Sequence, residues 1–149
     1  MAYQIKFVTG EHHHKRGICF LISEDKGVTA KPNFDRLSKK NKNIERLLRT
    51  RFDAWRDKHI DKPARYHGWN QSEFQGRYTR CFVFKAKAHR FYGFLCNPKS
   101  SDRSYQVCIL VCHAIKKKHE TDETDLKQVE GLRTTIAIQR AITDYFREK

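Results

Sequence analysis

Residues 77–119 read RYTRCFVFKAKA, HRFYGFLC, NPKSSDR, SYQVCILVCHAI and KKKH in unbroken succession. Three runs rich in aromatic and β-branched side chains, separated by short polar connections, suit a half-buried pleated surface better than a helix. They predict a three-stranded antiparallel meander. The same stretch holds ten basic residues and one acid, Asp102. Side chains alternate along a strand, so Arg80, Phe82 and Phe84 are expected on one face and Cys81, Val83, Lys85 and Lys87 on the other. A sheet face this positive repels itself unless it meets a polyanion, and nucleic acid is the polyanion expected.

Working outward, residues 3–8 and 18–23 look like two short strands. They flank a polar loop marked by Gly10 and Gly17 and carrying His12, His13 and His14. Adjacent histidines point in different directions, so this loop reads as solvated, not metal-binding. After Pro32, Asn33 is placed to cap a helix whose apolar positions Phe34, Leu37, Ile44, Leu47, Leu48 and Trp55 recur at three-and-four spacing. One amphipathic helix, or two with a break near 41–43, is expected there, followed by a loop over 63–76. Beyond His119 the composition turns acidic. Asp122, Glu123 and Asp125 favour the positive end of a helix dipole, which predicts a helix from about 122 to 146 with an interruption at Gly131. The fold class expected is α+β: a small antiparallel sheet packed by an N-terminal helical segment and a C-terminal helix. Residues 1–149 are read as one domain in which the role of 1–30 stays open.

The 149 residues carry a net charge of +14, with 38% hydrophobic and 12% aromatic side chains, enough apolar material for a core and too much for wholesale disorder. No apolar run approaches the ~18 residues of a membrane helix, and the opening residues lack the apolar stretch of a signal peptide. A cytoplasmic protein that engages no membrane is expected. Five scattered cysteines are an odd number embedded in apolar strings, so they read as reduced small hydrophobes. Cys108 and Cys112 would lie on one sheet face, about four rises apart, too far to share a metal. Neither a metal nor a cofactor is expected.

The segment His89-Arg90-Phe91-Tyr92-Gly93-Phe94, the strand end over 110–118 and the acid-started helix over 122–129 together resemble the RelE/ParE superfamily of bacterial toxins. The resemblance is closest to its phage-derived HigB-like branch and covers about residues 77–131. In that family a strand, a helical pair and an antiparallel sheet follow in this order, which implies a RelE-like fold. It also implies a toxin of a type II toxin–antitoxin system: an endoribonuclease, or mRNA interferase, that cuts messenger RNA in association with the ribosome and is neutralised by a cognate antitoxin protein.

Such cleavage turns the 2′-hydroxyl of the RNA against its neighbouring phosphate without a metal. It needs a base, an acid and cations for the charge that builds on phosphorus. A single carboxylate in 77–119 does not suit a two-metal nuclease. On this resemblance Arg90 clamps the scissile phosphate, Lys117 and Lys118 stabilise the transition state, and His119 or His113 supplies the proton. His113, within an apolar strand, also reads as a core histidine. Arg77, Arg80, Lys85, Lys87 and Lys116 would follow the RNA backbone, and Tyr92 or Phe91 would stack on a base. Two alternatives stand beside this reading: a ParE-like inhibitor of DNA gyrase that cleaves nothing, and a basic nucleic-acid-binding protein with no toxin role.

Overall fold

The computed structural model describes residues 2–10, 15–57, 63–98, 105–116 and 122–147. Strands β1 (Tyr3–Thr9) and β2 (Arg16–Ser23) lead into helices α1 (Ala30–Lys40) and α2 (Lys42–Arg56). A short strand β3 (Tyr66–Gly68) precedes β4 (Cys81–Ala86), β5 (His89–Cys96) and β6 (Gln106–Ile115), and helices α3 (Glu123–Arg133) and α4 (Ile136–Arg147) follow. The fold is α+β: six strands in the order β1-β2-β6-β5-β4-β3 form one mixed sheet with four helices.

The meander β4-β5-β6 is antiparallel, with Lys85 opposite Arg90 and Phe94 opposite Ile109. The sheet as a whole is not antiparallel, because β2 runs parallel to β6. A strand joined to its parallel neighbour needs a long crossover, and here α1, α2 and the β3–β5 segment supply it. Residues near the start of the chain are structural: Ile18, Cys19 and Leu21 are fully buried in the sheet. The 63–76 stretch, read as loop alone, contributes β3, whose Tyr66 packs on Phe82 and Phe84.

Two helical layers cover the sheet, one on each face. On one side Phe34, Leu48, Phe52 and Trp55 of α1 and α2 pack on Phe20, Phe82, Phe84, Phe91 and Leu110. On the other, Leu126, Val129, Ile138 and Ile142 of α3 and α4 pack on Val83, Tyr92, Phe94 and Ile109. The alternation expected for Phe82 and Phe84 against Cys81 and Val83 is what divides them. All six residues of β4 are buried, so among the described residues no broad open basic sheet face is formed. The helical pattern that marks both layers as amphipathic also determines that both must cover the sheet.

Helix boundaries differ from expectation in two places. The first helix starts at Ala30, with Pro32 in its first turn, where the missing N–H has no partner to lose; the Asn33 amide donates back to the Thr29 carbonyl at 2.8 Å rather than capping. The break after 41 is as expected, with the Asn41 side chain accepting from the Ile44 N–H. At the C-terminal end the interruption falls at Thr134 and Thr135, not at Gly131. The Thr134 and Thr135 hydroxyls donate back to the Glu130 and Gly131 carbonyls and close α3.

One bulge positions everything that follows. Tyr92 faces Cys112 while Gly93 faces Leu110, leaving Val111 as the extra residue of β6. Val111 and Cys112 therefore both pack toward α3 and α4, and His113 returns to the α1 face. Cys108 belongs to the α1–α2 layer and Cys112 to the α3–α4 layer, so the two sulfurs occupy opposite faces rather than one. Gly93 permits the close approach at this point, since a Cβ there would lie 2.3 Å from the Ile109 carbonyl oxygen. Gly93→Ala is expected to cost about 2–3 kcal/mol by overpacking between two central strands, measurable as a lower urea midpoint with unchanged slope.

Candidate active site

At one end of the sheet the β4–β5 turn, the start of β5 and the end of β6 meet. Lys87 takes the turn with φ +54°, and His89 opens β5 across from Ile115. His113 sits two positions earlier on β6, on the diagonal from His89. The bulge has turned His113 to the side His89 already occupies, where His89 Nδ1 and His113 Nε2 lie 2.9 Å apart with ring centroids at 5.1 Å. His113 also rests on Phe91, centroids 4.6 Å apart, and its backbone N–H donates to the Thr29 hydroxyl just before α1.

Both rings are held below the ordinary imidazole range. Burial lowers His113 to about 4, helped by His89 and by Arg36 of α1. Burial also lowers His89, with Arg90 adding to it. Both therefore rest neutral at neutral pH and share a single hydrogen between the facing nitrogens. Whichever ring donates, one outer nitrogen is left as an acceptor and the other as a donor.

The cations divide around this pair. Arg90 is buried, 5% exposed, on the α3 side, and its guanidinium curls back over the turn to donate to the carbonyls of Lys87 (2.7 Å) and His89 (3.1 Å). Lys85, directly opposite in register, is buried beside it. Neither makes an ion pair with a carboxylate among the described residues. Burial pushes the Lys85 ammonium down, and the Arg90 charge pushes it further. Lys87 and Arg36 are exposed. This end of the sheet is a neutral imidazole pair bordered by cations.

Other expected site residues are elsewhere. Lys116 reaches the same end but is held by its own acids, 2.6 Å from Asp125 and 3.6 Å from Asp122, which raise it above the ordinary lysine range. Arg77 pairs with Glu123 at 3.7 Å. Arg80 precedes β4 at the far end of the sheet, five residues or roughly 17 Å from Lys85 at strand rise, where its carbonyl accepts from the Leu95 N–H. Tyr92 is 3% exposed and Phe91 is fully buried, so neither presents a ring for stacking; the layers over both sheet faces are the reason. Lys117, Lys118 and His119 lie outside the described residues, as do His12, His13 and His14.

His89 is the residue that sequence reasoning missed as a chemical group. The Lys87-Ala88 turn fixes its register against β4, but its meeting with His113 depends on the β6 bulge. Among the described residues no three of His, Cys, Asp and Glu come together as a metal-binding group. No described helix is long and apolar enough to cross a membrane. No family model, no curated protein and no solved structure matches this chain.

Proposed function

We propose that the chain is a metal-independent endoribonuclease of the RelE/ParE toxin kind, HigB-like, acting on messenger RNA at the ribosome in the cytoplasm and restrained by an antitoxin protein. The observation that carries the reading is the hydrogen-bonded His89–His113 pair, with the exposed cations Lys87 and Arg36 near it. A helical pair followed by an antiparallel β4-β5-β6 meander and a helix supports the resemblance, although two strands precede the pair, β3 and α4 are additional, and β2 makes the sheet mixed.

The pair suits 2′-hydroxyl transesterification because it takes up and gives out a proton without gaining charge. With His89 Nδ1 donating to His113 Nε2, the outer His89 nitrogen takes the 2′-proton as the 2′-oxygen attacks phosphorus. The shared hydrogen passes to His113, and the hydrogen on the outer nitrogen of His113 goes to the departing 5′-oxygen. The products are a 2′,3′-cyclic phosphate and a free 5′-hydroxyl, and the pair is left in its other tautomer. The exposed cations at this end, Lys87 and Arg36, stabilise the dianionic phosphorane, while Arg90, on the α3 side, holds the turn through the Lys87 and His89 carbonyls.

The test is incubation of the purified chain with RNA in excess chelator, with and without ribosomes, and mapping of the ends. Cuts bearing 2′,3′-cyclic phosphate in chelator support the proposal. Growth arrest on induced expression with intact transcripts would favour the gyrase-inhibitor reading, and harmless expression with salt-sensitive RNA binding would favour the non-toxin one.

A further inference from the structure

The parallel ladder between β2 and β6 ends at the Phe20–Leu110 pair, one residue before the Val111 bulge. Beyond it a single residue of the connection to α1 takes the place of a neighbouring strand. The Thr29 N–H donates to the Val111 carbonyl at 2.9 Å, and the Thr29 hydroxyl accepts from the His113 N–H at 2.9 Å. These two bonds grip the backbone on either side of Cys112, whose thiol donates to the Gly27 carbonyl at 3.5 Å. Residues 27–29 therefore hold the bulge from this edge, and with it the side of the sheet that His113 occupies.

Thr29 forgoes a helix bond to do this. It is the N-cap of α1, a position where a threonine hydroxyl ordinarily accepts from an N–H of the first turn. Its side chain makes no such bond here and binds instead a strand residue 84 positions away. The connection that carries it is braced in turn. Asp25 accepts from the Gly27 N–H at 2.9 Å and from the Tyr3 hydroxyl at 3.0 Å, and its carbonyl accepts from the Val28 N–H at 3.0 Å. β1 thus fixes the turn, the turn fixes Thr29, and Thr29 fixes the strand end that presents His113. The ring nitrogens of His89 and His113 meet at 2.9 Å, so a displacement of an ångström at this strand end takes them beyond hydrogen-bond range.

We propose that Thr29 is the positioning residue of the histidine pair: its hydroxyl secures the bulged end of β6 so that the imidazoles of His113 and His89 share a hydrogen. It touches neither ring and acts through the backbone of His113. The effect on turnover rests on the ribonuclease reading, whereas the geometry of the pair is observable in the free protein.

Thr29→Val keeps the shape of the side chain and the backbone N–H and removes the oxygen that receives His113. Ring-nitrogen NMR of the full chain labelled at histidine, without RNA, is expected to show the hydrogen shared by His89 and His113 in the wild type and in Thr29→Ser, and its loss in Thr29→Val. In RNA cleavage Thr29→Val should lower kcat about 10–100-fold with KM unchanged, the scale of an ångström-sized misplacement, and Thr29→Ser should keep the wild-type kcat. Ser38→Ala removes a hydroxyl that bonds Glu45 from the same helix and is expected to alter neither the shared hydrogen nor kcat. Retention of the shared hydrogen in Thr29→Val overturns the proposal, as does a fall in kcat that Thr29→Ser also suffers or that Ser38→Ala reproduces. Loss of the shared hydrogen in Thr29→Val alone, in a chain whose wild type cuts no RNA, would uphold the role of Thr29 in fixing the pair and remove only the ribonuclease reading.

Discussion

His89→Gln and His113→Gln are each expected to lower RNA cleavage about 10²–10⁴-fold, and the double variant is expected to lose little more than either single one. That non-additivity is the signature of two groups acting as one relay, because an imidazole without its partner cannot both accept and release a proton in one passage. Glutamine keeps the hydrogen-bonding capacity and approximate volume, so binding of RNA should change little while turnover collapses. The pH profile gives a second readout. Both rings are pushed below the usual imidazole value of about 6.5, His113 to about 4. Activity that requires the neutral pair is therefore retained as pH falls through 6.5 and is lost only below it. Two exposed histidines of ordinary basicity would instead place the acidic limb at 6.5. Cleavage undiminished in both single variants would remove the pair from the chemistry.

Much of the architecture could be read in the residues. The meander is legible because its three runs are aromatic and β-branched and their connections polar, and the helix break at Asn41 is legible from composition. The parallel β2–β6 pairing is not, since nothing local in Ile18 or Phe20 states which strand they will lie beside. Nor is the double helical cover: β4 reads as alternating cation and hydrophobe near its end, yet Cys81 to Val83 and Phe82 to Phe84 each meet a different helical layer. This is why Tyr92, well placed in sequence to stack on a base, is instead enclosed under α3. The candidate site was half legible. Arg90, Lys85, Lys87 and His113 lie at one end of the sheet, but the buried Arg90 and Lys85 face α3 while His113 faces α1, and Lys116 is engaged by Asp125, a carboxylate nine residues onward that folds back on it. The partner of His113 was hidden by the Val111 bulge, which changes which side chains share a face without leaving a glycine or proline in β6 to announce itself.

Lys85→Met is expected to stabilise the fold while weakening its hold on RNA. Lys85 and Arg90 are directly opposed in the β4–β5 register, both buried, with no carboxylate paired to either among the described residues. Like charges facing across a strand pair destabilise, by an amount on the order of 0.2–1 kcal/mol, and methionine retains most of the aliphatic packing. A gain of up to about 1 kcal/mol is therefore expected in urea unfolding at pH 7. Because folding lowers the Lys85 pKa, the unfolded chain binds more protons between the folded value and the ordinary ~10.4. Wild-type stability should accordingly rise with pH through that alkaline window relative to Lys85→Met, and the gap between the two should close. RNA affinity should move the other way, falling about tenfold at low salt, with the slope of log K against log salt reduced by about one if the lysine meets a phosphate. Arg90→Met removes the same repulsion but leaves the Lys87 and His89 carbonyls without the donor that closes the turn, so it should weaken RNA binding without the gain in stability. A chain made less stable by Lys85→Met, with RNA binding unchanged, would mean that the lysine serves the fold alone.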